Sequence, residues 1–109
     1  MKFYSVAALK DKKLAEGISI RSIWGEKGML TFFELQPGAI IPPHAHSNEQ
    51  ITYVLEGELE FTVAGNKKIL KPGEGAVVAP NEEHEARVTG KFTRAMDAWA
   101  PIREDYKIQ

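Results

Sequence analysis

Two histidines one residue apart, His44 and His46, lie in the stretch G-A-I-I-P-P-H-A-H-S-N-E-Q-I-T-Y-V-L-E-G at residues 38–57. Side chains two apart project from the same face of an extended strand, so both imidazoles can reach one point. Gln50 has the same parity, and its amide oxygen is a third possible donor, although a turn at Ser47-Asn48 can reset that parity. Imidazole nitrogen and amide oxygen together suit a divalent first-row metal. The competing reading is a solvated loop pair, since histidine is often half exposed. His84, the third and last histidine, opens a stretch in which Ala86 and Val88 share its face while Glu85, Arg87 and Thr89 point away. Such small, apolar company places His84 on the inside. A buried imidazole needs partners for both nitrogens, which a metal and an acceptor behind it would supply, as would ordinary core hydrogen bonds.

Asp97 is the other residue that asks for an explanation. It sits in R-A-M-D-A-W-A, within the last predicted strand, where aspartate is rare and costly to bury unpaired. Thr93, Ala95 and Trp99 share its face, and Arg103 follows Pro101, near enough to fold back toward it. One reading is a structural Asp–Arg pair. The other makes Asp97 a general acid–base and Arg103 a clamp on a substrate carboxylate. Trp99 offers a flat face for a sugar ring, or simply fills core.

Bulk properties limit the partners. A chain of 109 residues makes one domain, 1–109, with 43% hydrophobic and 27% charged residues. Fourteen basic residues stand against fifteen acidic ones, so no basic surplus exists to bind a phosphate backbone, and nucleic acid is not expected. Apolar runs such as 76–80 are far too short to span a membrane. The apolar start at 1–8 gives way at once to Lys10-Asp11-Lys12-Lys13, unlike a signal peptide, so a cytoplasmic location is expected. With no cysteine, disulfides, thiolate nucleophiles, and cysteine-ligated zinc or iron–sulfur clusters are excluded. A metal here must use imidazole and oxygen ligands.

Strands must position these groups. Residues 2–6 read as a short strand and 7–16 as the only helix, with Ser5 as its N-cap and Gly17 ending it. Beyond Gly17 the pattern is of strands between Gly and Pro turns: one around 18–23, another at 29–35, then Gln36-Pro37-Gly38-Ala39. Proline followed by glycine suits a type II turn, and Lys71-Pro72-Gly73-Glu74 repeats it. Residues 51–55 are apolar at both parities except Thr52, as in a strand buried on both faces. Leu59, Phe61 and Val63 alternate with polar residues up to a two-residue II′ turn at Gly65-Asn66, and 67–70 return. Strands at 76–79, 84–89 and 92–100 follow, which predicts an all-β sandwich or small barrel.

Gly38, His44, His46, Gln50 and Gly57 at these spacings resemble the first motif of the cupin superfamily, and Gly73, Pro80 and His84, within 73–88, resemble the second. Gln50 stands where most cupins have glutamate. Ala79 and Asn81 replace a proline and a glycine of the second motif, and Val88 an asparagine. The resemblance implies a single-domain jelly-roll β-barrel holding one divalent metal (nickel, zinc, iron or manganese) on His44, His46, Gln50 and His84. All three histidines of the chain fall on expected positions. A neutral ligand set leaves the ion's charge uncompensated, which strengthens it as a Lewis acid. The two-histidine, one-carboxylate triad of many iron oxygenases is missing unless Glu49 turns inward.

The tail D-A-W-A-P-I-R-E-D-Y, with a first motif ending in E-Q, is similar to the small cupins of pectin and alginate breakdown, the KdgF type. Those proteins open 4,5-unsaturated uronates to linear keto acids. They carry an aspartate, an aromatic residue two positions on and an arginine four beyond, a spacing that Asp97, Trp99 and Arg103 match, though the aromatic is more often phenylalanine. The resemblance thus implies that Asp97 and Arg103 are catalytic, that Trp99 and Arg103 bind a small acidic sugar, and that the protein is a homodimer. Apolar residues at Phe3 and Val6, which one small barrel can hardly cover, point to the same pairing. Two other readings remain open: a metal-dependent dioxygenase acting on another small molecule, and a non-catalytic sugar- or metal-binding cupin.

Overall fold

Alternation with a period of two writes most of this chain as half-buried strand, and two such surfaces must face one another to bury their apolar sides. In the computed structural model, which describes residues 1–108, ten strands do so: β1 (Lys12–Ala15), β2 (Ile18–Trp24), β3 (Met29–Leu35), β4 (Ile40–His44), β5 (Glu49–Glu56), β6 (Leu59–Val63), β7 (Asn66–Leu70), β8 (Gly75–Val78), β9 (His84–Val88) and β10 (Thr93–Ala100). A six-stranded sheet in the order β1-β2-β3-β10-β5-β8 packs on a four-stranded sheet in the order β4-β9-β6-β7. Every pairing is antiparallel. Ile20, Leu35, Val54 and Val78 from the larger sheet meet Leu59, Phe61 and Val88 from the smaller one to form the core. The expected all-β barrel is observed.

The two Pro-Gly turns form as expected. Ala39 N–H donates to the Gln36 carbonyl (3.1 Å) and Glu74 N–H to that of Lys71 (2.9 Å), with Gly38 and Gly73 at φ 81° and 89°. Positive φ at the third position is what a type II turn requires. Gly75 serves closeness rather than turning: a Cβ there would run into the backbone carbonyl of Thr52, so glycine lets β8 close against β5.

Four expectations are corrected. Residues 2–6 form no strand, and no helix spans 7–16. A single 3-10 turn (Val6–Ala8) leads into β1, which pairs with the edge of β2 and turns only Leu14 toward the core. The segment lacks an apolar helical stripe, whereas the open β2 edge offers backbone partners, and lysines are tolerated on an edge strand. The β6–β7 hairpin is one residue out of the expected register: Val63 pairs with Asn66, so the turn is Ala64-Gly65 with φ 49° and 82°. Positive φ at both central residues is a type I′ geometry, not II′. Ala64 N–H is held by the Glu83 carbonyl at 3.0 Å, which ties this turn to the loop before β9.

β5 is not buried on both faces. Gln50, Thr52 and Val54 point inward, while Ile51, Tyr53 and Leu55 are 47%, 40% and 47% exposed on the outer face of the larger sheet. Among the described residues no further layer covers that face. Among the described residues no helix is long and apolar enough to cross a membrane.

Candidate metal centre and adjoining pocket

The chain crosses from one sheet to the other between β4 and β5, and the crossing assembles the site. His44 ends β4 directly opposite His84, the first residue of β9. His46 lies in the connecting bend, and Gln50 arrives on the inner face of β5. Proximity of His44, His46 and Gln50 therefore comes from a bend between sheets, not from shared parity in one strand. Asn81 N–H donates to the His46 carbonyl at 2.7 Å and adopts φ 65°. Asparagine tolerates this left-handed conformation, so it can do there the backbone work of the glycine usual in the second motif.

The rings converge, with centroids 4.1 Å apart for His44 and His84, 4.7 Å for His46 and His84, and 5.5 Å for His44 and His46. Each Nδ1 meets a backbone carbonyl: His44 that of Pro42 (2.9 Å), His46 that of Asn48 (3.0 Å) and His84 that of Glu82 (2.9 Å). A carbonyl can only accept, so each Nδ1 carries the hydrogen, and in the neutral ring each Nε2 presents a bare lone pair. His46 Nε2 nevertheless sits 3.2 Å from His84 Nε2 and 3.0 Å from Gln50 Oε1. Burial, the largest influence on both rings, pushes the pKa values of His46 and His84 below the usual imidazole value, which disfavours a proton as the bridge. Several acceptors thus face one another with no donor among them. A cation resolves that arrangement, and the donor set fits a divalent metal. The three histidines, whose ligand atoms lie within 4.8 Å of one another, could hold one. Glu49 starts β5 on its exposed side, so no carboxylate joins this group among the described residues.

Behind Gln50 stands Asp97, paired in register with Thr52 of β5 on one side and Thr31 of β3 on the other. Gln50 Nε2 donates to Thr52 Oγ1 at 2.9 Å and to Asp97 Oδ2 at 3.3 Å. The other carboxylate oxygen, Oδ1, is buried without a partner. Burial pushes the Asp97 pKa up to about 7, against the smaller opposing influences of the Thr52 hydroxyl and Arg103.

Arg103 does not form the structural pair with Asp97. Its Nε donates to Asp105 Oδ1 at 3.0 Å, and its guanidinium lies 3.9 Å from the Tyr106 ring centroid and 5.1 Å from that of Trp99. Its Nη1 is buried with no partner. Trp99 is itself buried, donating Nε1–H to Thr31 Oγ1 at 2.9 Å, with its ring 5.1 Å from that of His46. The segment after β10 is tied down at both ends: Asn48 Nδ2 donates to the Pro101 carbonyl (2.9 Å) and Ile108 N–H to Ser22 Oγ (3.2 Å). Sequence reasoning missed Tyr106, which packs edge-on against Phe33 and Trp99 and lies against the Arg103 guanidinium. Its only sequence signal was an aromatic residue three positions after that arginine. A cavity of about 200 Å³ brings His44, His84, Gln50, Asp97, Trp99 and Arg103 together against an apolar wall that includes Phe33, Ile41 and Tyr106.

The sequence profile of the cupin domain matches residues 31–96. The chain belongs to the cupin family. It is 32% identical over 97 residues to the pectin degradation protein KdgF of Dickeya dadantii, covering 87% of this cupin and 88% of that protein. Among solved structures it is similar to an RmlC-like cupin from Shewanella frigidimarina, with a TM-score of 0.92 and 26% identity over 98% of this chain and 96% of the other. It is likewise similar to KdgF from Halomonas sp., with a TM-score of 0.91 and 25% identity over 96% and 97%.

Proposed function

We propose that this cupin is a metal-dependent enzyme that opens a 4,5-unsaturated uronate and ketonises it to a linear keto acid. The observation that carries the reading is a pair of buried, unpartnered atoms, Asp97 Oδ1 and Arg103 Nη1, whose residues line one cavity beside the histidines. Buried polar atoms without partners are rare, and a substrate acid with an exchangeable proton would satisfy both. The likeness to the KdgF proteins of Dickeya dadantii and Halomonas sp. supports it.

In this reading His44, His46, Gln50 and His84 hold the metal. A divalent ion there supplies a Lewis-acidic charge for a substrate oxygen. Arg103, packed against the Tyr106 and Trp99 rings, grips the carboxylate through Nη1. Trp99 walls the sugar ring. The reaction adds no atoms: the bond from the ring oxygen to the anomeric carbon breaks, the anomeric hydroxyl loses its proton as it becomes an aldehyde, and the resulting enolate takes that proton at carbon to become a ketone. Asp97 moves that proton. With a pKa pushed up to about 7, both of its forms are present near neutrality, which suits a group that must accept and return a proton. An oxygenase reading is less favoured, because the histidines lack the carboxylate partner such iron sites commonly use.

The test follows ultraviolet absorbance of unsaturated galacturonate with metal-loaded protein. Loss of the conjugated chromophore is the expected result. Binding without turnover would replace this reading with a non-catalytic sugar-binding cupin.

A homodimer belongs to the same reading. Ile51, Tyr53 and Leu55 on β5 and Val77 on β8 form an exposed apolar strip on the larger sheet, and Phe3 and Val6 are exposed as well. A second copy would cover such a surface. A cytoplasmic location is consistent with these assignments.

A further inference from the structure

We propose that Thr52 is a positioning residue that fixes which end of the Gln50 amide faces the metal ligands; the inference rests on the metal reading above. An amide can ligate through oxygen only, so Gln50 works as a ligand in one of its two flip states. The observed state puts Oε1 at 3.0 Å from His46 Nε2 and turns Nε2 away, onto Thr52 Oγ1 at 2.9 Å and Asp97 Oδ2 at 3.3 Å. The opposite flip would set the amide oxygen against a carboxylate oxygen and the amide hydrogens toward the histidines.

Thr52 is built for this task. It lies two residues after Gln50 on the same inner face of β5, is 3% exposed, and sits in register opposite Asp97. Its hydroxyl hydrogen is committed to the Asp97 carboxylate, so Oγ1 can only accept from Gln50, at the shorter of the two amide contacts. β5 is paired on both sides, with β10 and with β8, so the Thr52 hydroxyl is delivered by an interior strand of the sheet, and it selects the amide orientation before any ion arrives.

The experiment titrates the metal-free protein with cobalt(II), read by electronic absorption and by competition with a chelator. Thr52→Val should weaken cobalt binding by about 10–100-fold, the range typical of a lost hydrogen bond behind a metal ligand. Thr52→Ser, which keeps the hydroxyl, should restore the affinity to near wild type. In a Gln50→Ala background, Thr52→Val should cause no further loss. Unchanged cobalt affinity in Thr52→Val overturns the role of Thr52 while leaving the metal reading intact. So does an equal loss in the Gln50→Ala background, which would mark a general packing defect. A wild-type protein that binds no cobalt overturns the metal reading and the inference with it.

Discussion

Gln50 gives a hydrogen from its amide to Asp97 Oδ2 across 3.3 Å, linking the histidine cluster to the one carboxylate buried beside it. A glutamate at position 50 would place two carboxylates there with no hydrogen between them, and like charges so close cannot both ionise. Glutamine suits this neighbour for that reason. Gln50→Glu should still bind a divalent metal, since a carboxylate is a competent ligand, but turnover of the unsaturated uronate should fall at least ~10-fold because Asp97 loses its free exchange of the proton. Metal content and steady-state kinetics on one preparation check this; wild-type turnover would refute it.

Asp97→Asn should retain the fold and the metal and lose ~10²–10⁴-fold in kcat, the usual contribution of a general acid–base group. Normal turnover would end the acid–base assignment.

The same residue makes the metal-free protein sensitive to pH. The Asp97 pKa is pushed up to about 7 in the folded state, against about 3.9 for an unfolded aspartate. Folding therefore favours the protonated form, and stability is lost as pH rises from about 4 through 7, staying low above that. At roughly 1.4 kcal/mol per pH unit the loss is on the order of 4 kcal/mol at most. Urea unfolding of metal-stripped protein at pH 4, 6 and 8 should show the wild type falling behind Asp97→Asn as pH rises. Parallel profiles would contradict the raised pKa.

Arg103→Lys keeps a charge but surrenders the planar fork and its contacts with the Trp99 and Tyr106 rings. KM should rise at least as much as kcat falls. A lower melting temperature with unchanged kinetics would reduce Arg103 to a structural residue.

Ile51→Lys places a charge in the exposed apolar strip of β5 without touching the inward-facing Gln50 or Thr52. Light scattering at micromolar concentration should give a dimer for wild type and a monomer for the variant. A monomeric wild type would sink the homodimer.

The parts of this architecture legible in the sequence are those with short-range causes. Pro-Gly pairs require their turns, and the alternation around Phe61 or Ala95 marks an inward face whatever lies opposite. The three histidines could be grouped because their spacing resembles the cupin motifs; strand parity is not what brings them together. Contacts that depend on how the chain folds back on itself were hidden. Thr52 reads as an ordinary strand threonine until Asp97 is placed opposite it, and Tyr106 as a tail residue until Arg103 folds beneath it. Segment 7–16 was misread because its fate depended on an unpaired edge of β2, which no local pattern reveals. Ile51, Tyr53 and Leu55 misled for the opposite reason: apolar type implied burial, and only the arrangement of sheets shows that they stay exposed among the described residues.

Each histidine ring is oriented by a carbonyl only two residues away along the chain, those of Pro42, Asn48 and Glu82. The ring angles are thus short-range properties of three separate backbone segments, set without help from an ion. A suitable cation could then bind or leave without refolding, and it would relieve the repulsion between lone pairs that face one another. A cluster wired this way invites exchange: which element occupies it should follow supply as much as the protein's own preference.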